Sequence, residues 1–194
     1  EQKGFDNAIK ALKVLHDNGI NYIRIRIWND PFNADGETYG GGGNDVSTGV
    51  EIAKEAAQYD MKVLLDFHYS DFWAEPAVQL VPKAWKKDVN NTEKMCSDVY
   101  DFTKESIQKF KDAGANIGMV QVGNEITNGL LGIYSNRDKG ESFNVIWGDK
   151  KKSTEVNKYL KAGIKAVREY TPQALVEFAA IQYFGHSIYS IKTL

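Results

Sequence analysis

Apolar residues recur at helical spacing in four stretches of the chain, and each stretch is followed by a short turn and a brief apolar run. Phe5, Ile9, Leu12 and Leu15 fall on one helical face, and Gly19 after Asn18 supplies the stop. Residues 20–28 then read as a strand rich in β-branched and aromatic side chains. Val46, Val50, Ala53 and Ala57 repeat the helical spacing, with Asp45 or Ser47 as N-cap, and residues 62–67 form the next strand. Met95, Val99, Phe102, Ile107 and Phe110 mark a third helix closed by Gly114, followed by a strand at 119–123. Val156, Leu160, Ile164 and Val167 mark a fourth, ended near Thr171-Pro172 because proline disrupts a helix, and 174–179 is the last strand.

Runs such as Val63-Leu64-Leu65 suit strands buried on both faces, as in a parallel sheet covered by helices. Alternating helix and strand predicts an α/β fold, and no linker or shift of composition divides residues 1–194. The longest connections, 29–45 and 68–91, follow strands and carry crowded polar and aromatic residues. In a β/α barrel those loops hold the active site, whereas a doubly wound sheet normally offers a glycine-rich phosphate turn. The run Gly40-Gly41-Gly42-Gly43 matches neither phosphate-binding pattern, so a tightly turned loop is the expectation.

Composition narrows the function. With 24 basic against 26 acidic residues and a net charge of −2, the chain lacks the basic surplus that nucleic acid or an anionic membrane calls for. It contains no stretch of about 18 apolar residues, so no membrane span is predicted. The single Cys96 forbids an internal disulfide and any multi-cysteine zinc site, and its helical setting predicts a buried thiol. Glu1-Gln2-Lys3-Gly4 shows no signal-peptide pattern.

Three strand ends could carry chemistry. Arg24, Arg26 and Trp28 alternate and so leave one face; buried arginines need carboxylate partners, either in a space-filling ion-pair network or around a catalytic carboxylate. Asp66 and His68 project to one face, while Tyr69 and Trp73 offer flat apolar surfaces of the kind a sugar ring stacks on. A metal site is the rival reading, but His16, His68 and His186 are separated in sequence. In Gln121-Val122-Gly123-Asn124-Glu125, a glutamate after a buried strand would sit in low dielectric; burial raises a carboxyl pKa, which suits a general acid. A capping or ion-pairing role is the alternative for Glu125, and Asn124 could bond a substrate hydroxyl.

Together, residues 21–31 (NYIRIRIWNDP), Tyr39-Gly40-Gly41-Gly42, residues 62–74 (KVLLDFHYSDFWA) and residues 119–125 (MVQVGNE) resemble family 53 of the glycoside hydrolases, the endo-β-1,4-galactanases, from about residue 5 to about 180. The resemblance implies a TIM (β/α)8 barrel, of which this chain would hold strands 2 to 5 as a single partial catalytic domain. It implies a secreted, retaining, endo-acting enzyme on the β-1,4-galactan side chains of pectin, with no cofactor. Relatives can carry a structural calcium, whose ligands would lie beyond these residues. By the resemblance, Glu125 is the acid/base and Asn124 bonds the sugar's 2-hydroxyl. Arg24 or Arg26 supports the nucleophile, Trp28, His68 and Trp73 line subsites, and Asp66 and Asp71 support them.

The chain departs from the family at the nucleophile, at the first strand, which should precede the opening helix, and in its tail. The family's nucleophile is a glutamate roughly a hundred residues after the acid/base, and 69 of the 194 residues follow Glu125. Glu75, Glu141 and Glu177 have no evident claim to that place, so the chain alone is expected to be inactive. Two other readings remain: a sugar-binding module using Trp28, Tyr69 and Trp73, and a half-barrel that self-associates through edge strands and uncovered apolar surface. After about Ile181 the match to the family ends.

Overall fold

The computed structural model describes residues 2–134, 148–182 and 186–191, with side chains described for 10–134 and 148–178. The expected alternation is present. Helix α1 (Gln2–Asp17) leads to β1 (Tyr22–Ile27), α2 (Val46–Ala57) to β2 (Lys62–Phe67), α3 (Thr92–Asp112) to β3 (Ile117–Val122), and, after the small hairpin β4 (Gly129–Leu130) and β5 (Ile133–Tyr134), α4 (Lys150–Tyr170) leads to β6 (Leu175–Gln182). Strands β1, β2, β3 and β6 pair in parallel in that order. A fifth strand, β7 (His186–Ile191), pairs antiparallel with β6 and was not anticipated from the sequence. Phe5, Ile9, Glu141 and His186 lie outside the described side chains.

Local chemistry explains the element ends. Asp45, not Ser47, caps α2 by accepting from the backbone N–H groups of Ser47 and Thr48. Asn91 caps α3 and Asp149 caps α4 in the same way. Leu12 of α1 is buried, whereas Leu15 stays 39% exposed. On α2 the buried set is Val46, Gly49, Ala53 and Ala56, so Ala56 rather than Ala57 completes the face.

Side chains alternate between the two faces of the sheet. One face, carrying Ile25, Ile27, Val63, Leu65, Phe67, Val120, Val122 and Val176, forms the core with α2, α3 and α4. Tyr69 belongs to this side: it is 1% exposed, stacks on Phe67, and shares a 2.8 Å hydrogen bond with Thr103 of α3. It is therefore no sugar platform. Helix α4 approaches closely because residue 163 is glycine; a Cβ there would lie 2.7 Å from both the Tyr69 hydroxyl and Val122. Cys96 is half-buried, and burial pushes its thiol pKa up.

The opposite face carries Arg26, Asp66, Gln121 and Glu177 side by side in one register row, with half-buried Leu64, Met119 and Leu175 in the row below. Among the described residues, no helix is long and apolar enough to cross a membrane.

Candidate active site

The polar face converges on Asp66, which is fully buried near the end of β2. Its carboxylate accepts from three donors: Arg24 Nη2 at 2.8 Å, His68 Nε2 at 3.0 Å and Gln121 Nε2 at 2.6 Å. The backbone N–H of Ala74 donates to His68 Nδ1 at 3.1 Å, so Nδ1 is an acceptor and the ring proton sits on Nε2, facing Asp66. His68 is 1% exposed and holds Asp66 to the loop after β2; it does not line an open subsite.

Arg24 and Arg26 leave the same face but diverge in role. Arg24 reaches Asn124 Oδ1 at 2.8 Å and Gln121 Oε1 at 3.2 Å as well as Asp66. Arg26 instead lies over Trp73, 4.2 Å from the ring centroid. The rest of Trp73 is open, with 43% of the residue exposed. Trp28 is completely buried, because the glycine loop packs on it: a Cβ on Gly41 would sit 2.6 Å from the Trp28 ring. Trp28 therefore presents no surface to a sugar here; within the glycine run Gly41 serves close packing, and Gly40 and Gly42 adopt positive φ. Asp71 is also a loop fastener, accepting from the backbone N–H groups of Asp30 (3.1 Å) and Lys83 (2.7 Å) while Lys83 pairs with Asp30 at 2.8 Å.

At the end of β3 the chain turns sharply. Asn124 is 4% exposed and locked at both ends of its amide: Oδ1 accepts from Arg24 and from Gln121 Nε2 (3.0 Å), and Nδ2 donates to Ala74 O (2.8 Å). Glu125 follows in the left-handed region, φ 48° and ψ 47°, a conformation a non-glycine residue adopts only when its surroundings enforce it. Its carboxyl is part-buried. Burial raises its pKa and nearby Glu75 raises it further, against the lowering influence of His68 and Arg24. Glu177, on β6, is 6% exposed, and burial likewise raises its pKa, with Arg24 opposing.

The arrangement offers a carboxyl held towards its protonated form, a rigid amide beside it and an open indole close by: a proton donor, a hydroxyl binder and a stacking surface. Among the described residues, no group of three or more His, Cys, Asp or Glu could hold a metal ion.

The family model for glycosyl hydrolase family 53 matches residues 2–181. The chain belongs to this family. The endo-β-1,4-galactanase of Bacillus subtilis (strain 168) is 53% identical over 118 residues, which are 61% of this chain and 27% of that protein. The arabinogalactan endo-β-1,4-galactanase of Humicola insolens is 36% identical over 118 residues, 61% of this chain and 32% of that one. The chain thus spans about a third or less of the curated relatives it matches. Among solved structures, the family 53 catalytic domain of Ignisphaera aggregans superposes with a TM-score of 0.72 at 35% identity, covering 86% of this chain and 42% of that one. The four parallel strands are accordingly part of a TIM-type barrel.

Sequence reasoning overlooked Gln121 and Gln79. Gln121 was discoverable, since it alternates with Met119 onto the polar face. Gln79, 1% exposed, carried no signal beyond being a polar residue followed by Leu80 and Val81.

Proposed function

We propose that this chain supplies the proton-transfer half of a retaining endo-β-1,4-galactanase, a secreted enzyme acting on the galactan side chains of pectin. The observation that carries the reading is the placement of Glu125: a part-buried carboxyl with a raised pKa, at the C-terminal end of a barrel strand, beside an immobilised Asn124. In the glycosylation step Glu125 gives its proton to the glycosidic oxygen as the bond to the anomeric carbon breaks, while a second carboxylate attacks that carbon from the opposite face. In the second step Glu125 takes a proton from water as its oxygen displaces the enzyme carboxylate. The two carboxyl groups must stand about 5–5.5 Å apart, and the family resemblance assigns the second to a strand about a hundred residues further on.

Asn124 uses one Nδ2 hydrogen on Ala74 and gives the other to the sugar's 2-hydroxyl. The exposed face of Trp73 stacks against a galactosyl ring, and Arg24, Asp66, Gln121 and His68 keep Asn124 in place. In the longest natural polypeptide carrying these residues, Glu125→Gln is expected to lower release of reducing ends from β-1,4-galactan by roughly 10²–10⁴-fold; unchanged turnover would overturn the assignment. The 194-residue polypeptide by itself is expected to cleave no galactan. Its half-buried Leu64, Met119 and Leu175 favour self-association, which sedimentation velocity over a concentration series checks.

A further inference from the structure

The loop after β2 does more than cover the site. Between residues 74 and 79 it is fastened at four places to the turn after β3 and the β4–β5 hairpin that follows it. Asn124 Nδ2 donates to Ala74 O at 2.8 Å, and Asn128 Nδ2 donates to Pro76 O at 2.9 Å. The Gly132 N–H donates to Gln79 O at 2.6 Å. The fourth fastening is the Gln79 side chain itself. Its Nε2 shares two hydrogens among three carbonyls, Asn124 O at 2.9 Å, Glu125 O at 3.3 Å and Glu75 O of its own loop at 3.1 Å. Glu75 and Val78 exchange backbone hydrogen bonds of 2.9 Å, closing the tight turn that presents Glu75.

We infer that Gln79 is a positioning residue for Glu125: one buried amide grips the peptide carbonyls on either side of Glu125, and thereby holds the left-handed turn that aims the Glu125 carboxyl. The inference deepens the functional reading and rests on it for the role of Glu125. The physical case is one of supply and demand. A left-handed glutamate is costly, by about 1–3 kcal/mol, and its turn exposes carbonyls that the strand ladder no longer serves. Gln79 provides the buried donor for both. Because the same nitrogen also bonds Glu75 O, it fixes the spacing between the Glu75 turn and the Glu125 turn. The charged and titratable groups facing Glu125 are Glu75 from this loop, Asp66 and His68 from β2 and its end, and Arg24 from β1.

The test is Gln79→Met, which keeps the bulk and removes the donor. Glu125 titration is followed by carbon NMR of its carboxyl, and kcat and KM are measured on galactan with the longest natural polypeptide. Released from the clamp, Glu125 gains water and distance from Glu75, so its pKa falls towards that of an ordinary glutamate. The alkaline limb of activity then moves to lower pH, and kcat drops about ten- to hundredfold with KM little changed. An unmoved Glu125 titration with unchanged kcat overturns the inference. Should Gln79→Met fail to fold, hydrogen exchange of the Gln79 side-chain amide in the unaltered protein decides: slow exchange supports the clamp, and exchange at the rate of a free amide overturns it. The titration and the exchange need no substrate, so failure to cleave galactan would remove the functional reading without touching the clamp.

Discussion

The two faces of the parallel sheet are built on opposite rules. Towards the helices, Ile25, Ile27, Val63, Leu65, Phe67, Val120, Val122 and Val176 are 5% exposed or less and belong to one apolar cluster. Their stabilisation scales with area removed from water and is indifferent to direction. On the barrel face, Arg24, Asp66, Gln121 and Asn124 are held by individual hydrogen bonds of 2.6–3.2 Å, each of which fixes an orientation. Such groups add little net stability, because water satisfied them before folding, but losing one partner strands the others. The chain therefore places its stability on one face and its geometry on the other.

Substitutions on each face should separate these roles. The largest stability effect is expected on the helix face: Leu65→Ala lowers unfolding free energy by about 2–5 kcal/mol in denaturant titration and leaves the Glu125 titration unmoved. A coupled change in Glu125 would break the division. Arg24→Met comes next, costing about 1.5–3 kcal/mol because Asp66 and Asn124 lose a charged donor. Unlike Leu65→Ala, it should depress galactan turnover more than its stability loss explains. Trp73→Ala weakens binding of galacto-oligosaccharides by about 0.5–1.5 kcal/mol in calorimetry, with a smaller loss of stability than Leu65→Ala, since 43% of Trp73 is already exposed.

The smallest effect is a pH dependence. Burial and Glu75 raise the Glu125 pKa in the folded state, so between its unfolded and folded values the native form holds more proton. Stability contributed by the protonated carboxyl is present below the ordinary glutamate value and lost as pH rises through the raised one. Glu125→Gln should remove that decline, making the variant slightly more stable than the parent at neutral pH in pH-dependent thermal unfolding. A parallel decline in both proteins would show that Glu125 carries no such penalty.

Much of the helix face was legible in the sequence. Its rule is periodicity, and continuous apolar runs such as Val63-Leu64-Leu65 announce strands directly. Glu125, Asn124, Arg24 and Asp66 were also legible, because strand alternation and strand ends locate them. What stayed hidden depends on contacts between distant segments. Trp28 reads as a sugar platform until Gly41 is seen packed on its ring, and His68 as a subsite residue until Ala74 is seen bonding it. Gln79 grips carbonyls some 45 positions away, and no local pattern encodes that reach. Strand β7 escaped because residues 182–194 carry no family motif and no strong apolar alternation beside which to place them.

The missing side chain at Gly163 acts on the site from behind. Because α4 rests directly on the Tyr69 hydroxyl and on Val122, that helix sets the depth at which the third strand lies. Val122 is three positions before Glu125, so a methyl group inserted here would be transmitted as a displacement of the whole strand terminus. A residue with no functional group would then act as a remote adjustment screw, shifting the turn that carries Glu125 from the far side of the wall, by pressure on Val122 and on the Tyr69–Thr103 hydrogen bond.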